Sequence, residues 1–342
     1  MKKSCVPRLP AAVLWALAAG AGGMAHAQST VQVYGLLDMG VGSFRDSGGG
    51  RSDQVTSGKL TTSYLGFKGS EDLGGGLLAF FAIESHLRLD TGEFGRNATD
   101  PFFSRNAFVG LKTGVGSFSL GRVNTPLWIA ALGSNPFGSS TGYSPILRSL
   151  YGPTGKTGGD AVWNNSLVYQ SPVIGGFSTM LQHQLKEAAQ GGNTGGHLLF
   201  NSGALSLTAA AQQVEVPYTR GKETTALLGG SYDFGPAKLF AQYARVREGA
   251  TASATAALAT ANTRDKIYQV GASVKAGATG AVLVSFAQAK TEGAQAGKRE
   301  FFSLGYDYRL SRRTDIYAVA MTDKFNALSR GNSVGVGIRH VF

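Results

Sequence analysis

Apolar and polar side chains alternate with a period of two through most of this chain. In residues 30–42, Val31, Val33, Leu37, Met39 and Val41 fall on one face, and Gln32, Tyr34, Asp38 and Gly40 on the other. In residues 76–92, Leu77, Ala79, Phe81, Ile83, Leu87 and Leu89 oppose Glu84, His86 and Arg88. The chain closes in the same way, with Val334, Val336, Ile338, His340 and Phe342 opposite Ser333, Gly335, Gly337, Arg339 and Val341. Alternation of this kind predicts strands with unlike faces. Helical periodicity is scarce, and residues 200–225 do not assign cleanly. Beyond the N-terminus no apolar run is long enough for a membrane helix.

The punctuation between strands is rich in glycine, 49 residues in 342, as hairpins require. Short links such as 71–76, 233–237 and 309–313 alternate with longer ones such as 45–59, 248–265 and 323–332. Short turns at one end and long loops at the other are the layout of a membrane barrel, whose apolar face meets lipid and whose polar face meets water. A soluble array of β-sandwiches would need domain linkers, and none is visible.

The N-terminus sets the compartment. Lys2, Lys3 and Arg8 precede an apolar stretch that ends on Ala25-His26-Ala27, the pattern of a secretory signal peptide over residues 1–27. Cys5, the only cysteine, lies in that leader, so the mature part (28–342) has neither a disulfide nor a cysteine metal site. Cleavage removes three basic residues and no acidic one, leaving 29 Lys+Arg against 21 Asp+Glu, a net charge of +8. The basic residues are dispersed, which argues against nucleic-acid binding. At about ten spanning residues per strand, with these loops, the mature chain suits roughly 16 strands.

Seven segments, in order from about residue 30 to the end, resemble the general diffusion porins of Gram-negative bacteria, especially their betaproteobacterial branch. They are VQVYGLLDMGV, SYLGFKGSEDLGGGL, SRNAFVGLKTGVGSFSLGRVNTPL, NNSLVYQSPVIGGF, LGGSYDFGPAKLFAQYA, LGYDYRLSRRTDIYA and VGVGIRHVF. The resemblance implies a 16-stranded antiparallel transmembrane β-barrel with an inward-folded third extracellular loop. It implies a homotrimer among outer-membrane lipid and lipopolysaccharide, passing small hydrophilic solutes without cofactor or catalysis. It also makes the terminal Phe342 the signal read by the barrel assembly machinery.

The constriction loop then spans about Val123 to Ala161. It has no acidic residue before Asp160, but it carries Arg148 and Lys156. Tyr64 stands where relatives often have arginine. Alternation sends Asp38, Lys68, Glu84, His86 and Arg88 into the lumen, whereas the phase of Arg105 places it with Ala107 and Val109. Arg105 and Arg122 are candidates for a subunit interface or for the root of the loop. The local balance predicts a preference for anions, carried by Arg148 and Lys156 on the loop and by Lys68 and Arg88 facing it, with Glu84 opposed. A channel selective for a carboxylate or another anion is the alternative.

Enzymatic signals are thin. Residues 138–142 match G-x-S-x-G, which would make Ser140 the nucleophile of a lipid hydrolase. That motif needs a strand-to-helix elbow and triad partners, and here it lies in a loop rich in glycine and serine. Gly155-Lys156-Thr157 is similar to a phosphate loop, but the spacing would require glycine at Leu150. His26, His86, His183, His197 and His340 have no metal-ligand spacing.

Overall fold

The computed structural model describes residues 30–151, 154–187, 192–216, 221–248, 263–293 and 296–342. The expected leader, with its Ala25-His26-Ala27 cleavage site, lies outside the described residues.

Eighteen strand segments run through the described residues, all paired antiparallel. They are β1 (Thr30–Phe44), β2 (Ser52–Ser57), β3 (Tyr64–Gly74), β4 (Leu77–Arg88), β5 (Glu93–Phe94), β6 (Asn106–Thr113), β7 (Gly116–Asn124) and β8 (Val162–Gln170). There follow β9 (Phe177–Gln184), β10 (Thr194–Ser202), β11 (Leu205–Val216), β12 (Gly221–Asp233), β13 (Ala237–Glu248) and β14 (Arg264–Ala276). The last are β15 (Gly280–Glu292), β16 (Gly297–Arg309), β17 (Thr314–Phe325) and β18 (Gly331–Val341).

Two segments do not add to the barrel count. β2 pairs with Met39–Phe44 and β3 with Thr30–Leu36, so together they make one interrupted barrel strand. β5 pairs only with the end of β4. The result is a closed barrel of sixteen antiparallel strands. β18 closes it on β1, from Leu36↔Val341 to Ser43↔Val334. Closure removes the unpaired edge that lipid could not satisfy. The stretch 45–59, read from the sequence as one long loop, therefore contains a strand. The ambiguous 200–225 region resolves into the end of β10, β11 and the start of β12.

Burial follows the period of two. On β12, Leu227 is 1% exposed and Leu228 60%; on β14, Ile267 is 0% and Val270 59%. The outward set is apolar through the middle and aromatic at the short-turn end. Ring pairs there include Phe118–Tyr169, Phe177–Phe200 and Tyr232–Phe234, with centroids 4.5–5.0 Å apart. That is the girdle expected where a barrel wall meets the membrane interface.

Candidate functional site: the lumen and its loop

The segment between β7 and β8, the third of the long loops, is not irregular. It holds two helices, α1 (Pro126–Gly133) and α2 (Pro145–Leu150). Thr125 caps the first through its Oγ1, which accepts the Trp128 N–H at 3.2 Å, and proline occupies the first helical turn of both. Ser/Thr followed by Pro is a helix-start signal present in the sequence at 125–126 and 144–145, and the strand-based reading passed over it.

Both helices pack on inward-facing side chains. Leu127, Ala130, Ala131, Ile146, Leu147 and Leu150 form one buried cluster with Ala210, Leu227, Ala244, Val246, Ile267 and Ala289 of β11–β15. Tyr143 lies against Tyr317 and Met321 in a second cluster. Polar contacts fix the register of loop on wall. Gln242 Nε2 donates to the Ala131 carbonyl at 3.0 Å, Ser303 Oγ to the Tyr143 carbonyl at 2.7 Å, and the Gly158 N–H to Glu223 at 2.7–2.8 Å. The loop therefore lies inside the barrel. The small inner residues of β18 now have a reason, because a Cβ on Gly335 would sit 2.2 Å from the Tyr143 hydroxyl and one on Gly337 2.4 Å from that of Tyr317.

The loop root is clamped by charge. Gly121, at φ +137° beside a register shift between β7 and β8, has no room for a Cβ, which would lie 2.2 Å from the Ala107 carbonyl oxygen. This kink precedes Arg122, whose Nε donates to the Ser104 carbonyl at 2.8 Å and whose Nη1 donates to Asn164 Oδ1 at 2.6 Å. Arg122 lies 3.6 Å from Asp160. Arg96, from the loop after β4, donates two hydrogen bonds to Asp160 at 2.6 and 2.7 Å and two to Asp100 at 2.8 and 2.9 Å. Burial pushes both carboxyls up, but the Arg96 hydrogen bonds and charge outweigh it and hold both below the ordinary Asp range. The guanidinium of Arg96 is correspondingly held more firmly protonated, the hydrogen bonds to Asp160 being the main cause. Arg122 thus belongs to the loop root. The Arg96 clamp was not foreseen, because it joins residues 64 positions apart in two loops.

The sequence-derived lumen residues separate into distinct environments. Asp38 faces inward but is fully buried: its carboxylate accepts the Leu60 and Thr61 N–H groups at 2.8 and 2.6 Å and the Tyr317 hydroxyl at 2.6 Å. It fixes the break between β2 and β3 and is not a free lumen charge. Glu84, 4% exposed, accepts from the Tyr34 hydroxyl at 2.5 Å and also from Arg105 and Asn106. The guanidinium of Arg105 also lies 4.1 Å from the centre of the Tyr64 ring. Arg105 precedes β6, so strand phase does not govern its side chain, and it does not share the outward face of Val109. His86 is 7% exposed, its backbone N–H donating to Ser104 Oγ.

Of the four cations expected to set selectivity, three are paired. Arg88 meets Glu93 at 2.7 Å, and Arg148 meets Asp46 at 2.7 Å. Lys156 lies 3.6 Å from Asp265. Lys68, in contrast, is exposed on the wall over the Tyr34 ring at 4.6 Å. Lys59, missed in the sequence because it lies in the β2–β3 break, sits over the Phe44 ring at 4.6 Å. It lines a polar recess with Arg45, Asp46, Gln54 and Arg148.

Ser140 is fully buried. Its hydroxyl donates to the Lys59 carbonyl and accepts the Tyr143 N–H, so it packs the loop, and among the described residues no imidazole is hydrogen-bonded to it. Among the described residues no cluster of His, Cys, Asp and Glu could hold a metal ion.

The chain matches the Gram-negative porin family over residues 11–328. It is 29% identical to outer membrane porin protein 32 of Delftia acidovorans, covering 94% of this chain and 97% of that protein. It is 29% identical to an outer membrane porin protein of Bordetella pertussis, covering 96% and 98%. Among solved structures, an anion-selective porin from Comamonas acidovorans superimposes with a TM-score of 0.80 at 26% identity, over 92% of this chain and all of that one. A trimer form of OmpT from Vibrio cholerae shares the fold, with a TM-score of 0.70 at 16% identity, covering 92% of this chain and 99% of that one. With a closed lipid-facing barrel, an occupied lumen and these relatives, the chain belongs to the Gram-negative porin family and is a passive diffusion channel of the outer membrane.

Proposed function

We propose that this channel prefers anions and that Lys59 and Lys68 carry the preference. One observation supports the reading: the acids near the narrowing are engaged, whereas these two lysines have no carboxylate within ion-pair distance among the described residues. Glu84 is held by Arg105, Asp46 by Arg148 and Asp160 by Arg96, while Asp38 and Glu223 accept backbone N–H groups. Asp38 and Glu223 are also buried, at 0% and 1% exposed, so the unpaired charges nearest a permeating ion are the two lysines. At ~6 Å and an effective dielectric near ~40, one uncompensated charge is worth roughly 1–2 kcal/mol to an ion, several-fold in permeation. The test is the zero-current potential across a tenfold KCl gradient. Wild type reads anion-selective, and Lys59→Gln with Lys68→Gln moves it severalfold toward cations. A cation-selective wild type sinks the preference, and an unchanged preference in the double variant rejects these lysines as its source.

The same reading makes the protein a homotrimer that stands among lipopolysaccharide and carries out no catalytic step. The outward face of β18, β1, β3, β4 and β6 is apolar with small residues at Gly35, Ala79 and Ala107, which lets backbones approach. Mass measurement after crosslinking in mild detergent reads three chains; a monomer alone overturns this part.

A further inference from the structure

The inner wall toward the short-turn end carries rings that ion selectivity does not use. The buried contacts of α1 and α2 lie mainly on β11–β15, and the inner face of β3, β4 and β6 is covered less. The strand phase that turns Glu84 and His86 inward also turns Leu78, Phe80 and Ala82 inward on β4. Register sets Ala82 between Lys68 of β3 and Phe108 of β6, Phe80 opposite Gly110, and Leu78 opposite Lys112. Val109 and Leu111 alternate with these residues and are exposed on the lipid side. Phe80 and Phe108 are partly exposed, and Lys68 and Lys112 are exposed. The two rings meet edge to face, with centroids 6.0 Å apart at 74°. Gly110 makes room for this, since a Cβ there would lie 2.5 Å from Phe80 Cζ. The Phe80 ring therefore lies across β6. Ile129 of α1 packs beside Phe108, so the pair emerges at the edge of the loop's footprint.

Two features set this pair apart from the other rings of the same wall. Tyr34 and Tyr64 also meet edge to face, but each already carries a cation, Lys68 at 4.6 Å and Arg105 at 4.1 Å. Among the described residues no cation lies over Phe80 or Phe108. The second feature is charge. Lys68 and Lys112 flank the pair, and neither has a carboxylate within ion-pair distance among the described residues. Asp72 shares the inward face near the turn, where it accepts the Gly74 N–H at 2.9 Å. Neighbouring strands are ~4.8 Å apart, which puts the backbones of Lys68 and Phe108 about 10 Å from each other across the small Ala82. That span takes one flat ring with its acid group turned to the amine. Ring faces attract the edges of other rings, and an ammonium without a partner attracts a carboxylate.

We propose that the inner wall of β3, β4 and β6 is a stacking subsite for aromatic carboxylates, whose ring meets Phe80 and Phe108 and whose carboxylate meets Lys68 or Lys112. The subsite rests on the anion preference proposed above and adds to it a selection for rings. Short turns face the periplasm in barrels of this kind, so the ring is met on the periplasmic side of the loop.

The experiment is single-channel recording from the full mature protein in KCl, with benzoate or cyclohexanecarboxylate added and the dissociation constant read from the added open-channel noise. Wild type binds benzoate roughly three- to tenfold more tightly than cyclohexanecarboxylate, the range of an aromatic pair beyond its buried area. The two ions share charge and nearly share size, so this ratio stands or fails separately from the zero-current potential that tests the anion preference. Phe80→Leu with Phe108→Leu brings the ratio close to one, with heat-modifiable migration reporting that the barrel has folded. Phe80→Leu alone, which leaves Phe108 against Ile129, narrows the ratio and serves where the double variant does not fold. Lys68→Gln with Lys112→Gln weakens the binding of both ions and keeps the ratio. A wild-type ratio of one overturns the subsite, as does a ratio unchanged in the folded phenylalanine variants. Benzoate binding unchanged in the lysine variant also overturns it, because the carboxylate would then be held elsewhere.

Discussion

Asp160→Asn tests how the loop is held in the lumen. The substitution keeps the shape of the side chain but removes its charge and turns one acceptor into an amine facing the Arg96 guanidinium. Arg96 gives Asp160 two hydrogen bonds at 2.6 and 2.7 Å, and Arg122 adds its charge at 3.6 Å. A hydrogen bond to a charged group contributes about 1.5–3 kcal/mol. The side chains of Arg96 and Asp160 are 31% and 36% exposed, so solvent screening brings the whole clamp down to about 1–2 kcal/mol. At tenfold per ~1.4 kcal/mol, the loosened root becomes roughly 5–30 times more populated. Asp100 and Asp160 are both depressed in the folded protein. Their contribution is fully present above the unfolded Asp value near ~4 and is lost only as pH falls through the lower folded value. Single-channel recordings should therefore be equally quiet from about pH 8 to pH 5 in wild type, with flicker appearing only below about pH 4. Asp160→Asn should flicker at neutral pH. A wild type that flickers between about pH 5 and 7, or a variant as quiet as wild type, would refute the clamp.

Two further predictions concern closure and the strand break. Deleting Phe342 removes its reciprocal 3.1 Å backbone hydrogen bonds to Gly35 and the ring that packs over that residue, where a Cβ would lie 2.6 Å from Cζ; outer-membrane yield should fall severalfold while the surviving channels conduct normally, and normal yield with altered conductance would show that the residue acts in the pore. Asp38→Ala strands the Leu60 and Thr61 N–H groups and the Tyr317 hydroxyl, at about 1–3 kcal/mol each where water cannot replace the carboxylate, so the folded barrel should convert to the heat-denatured form on gels at a lower temperature than wild type.

The wall was legible in the sequence and the interior was not. Alternation fixed the faces of β1, β4 and β18 because lipid tolerates only one kind of side chain and the hydrogen-bonded ladder has a strict period of two. The inward direction of Asp38, Glu84 and His86 followed from phase, but their burial and their partners did not: Asp38 meets Tyr317 across 279 positions and Glu84 meets Tyr34 across 50. A period names the face of a residue and says nothing of what lies opposite in a closed cylinder. That is why Arg148 read as a free cation until the first long loop brought Asp46 beside it. Arg105 was left unplaced for a different reason. It lies one residue before the ladder begins, where the alternation rule has no force.

The places where alternation broke down held the most information. Residues 200–225 were hard to assign because Ala209, Ala210 and Ala211 are apolar on both faces, a pattern that Leu227 and Leu228 continue just beyond them. A water-filled lumen would not tolerate Leu227, Ile267 and Ala244 on its wall, since each would face solvent. They are fully or almost fully covered because α1 and α2 lie on them. At about 25 cal/mol per Å² of apolar surface, the inner wall of β11–β15 holds the loop mainly by burial, while Gln242, Ser303 and Glu223 supply direction. A barrel strand that is apolar on both sides therefore marks where a lumen loop docks. Gly335 of β18 marks the far side of the same contact, where Tyr143 needs the space that a side chain would take.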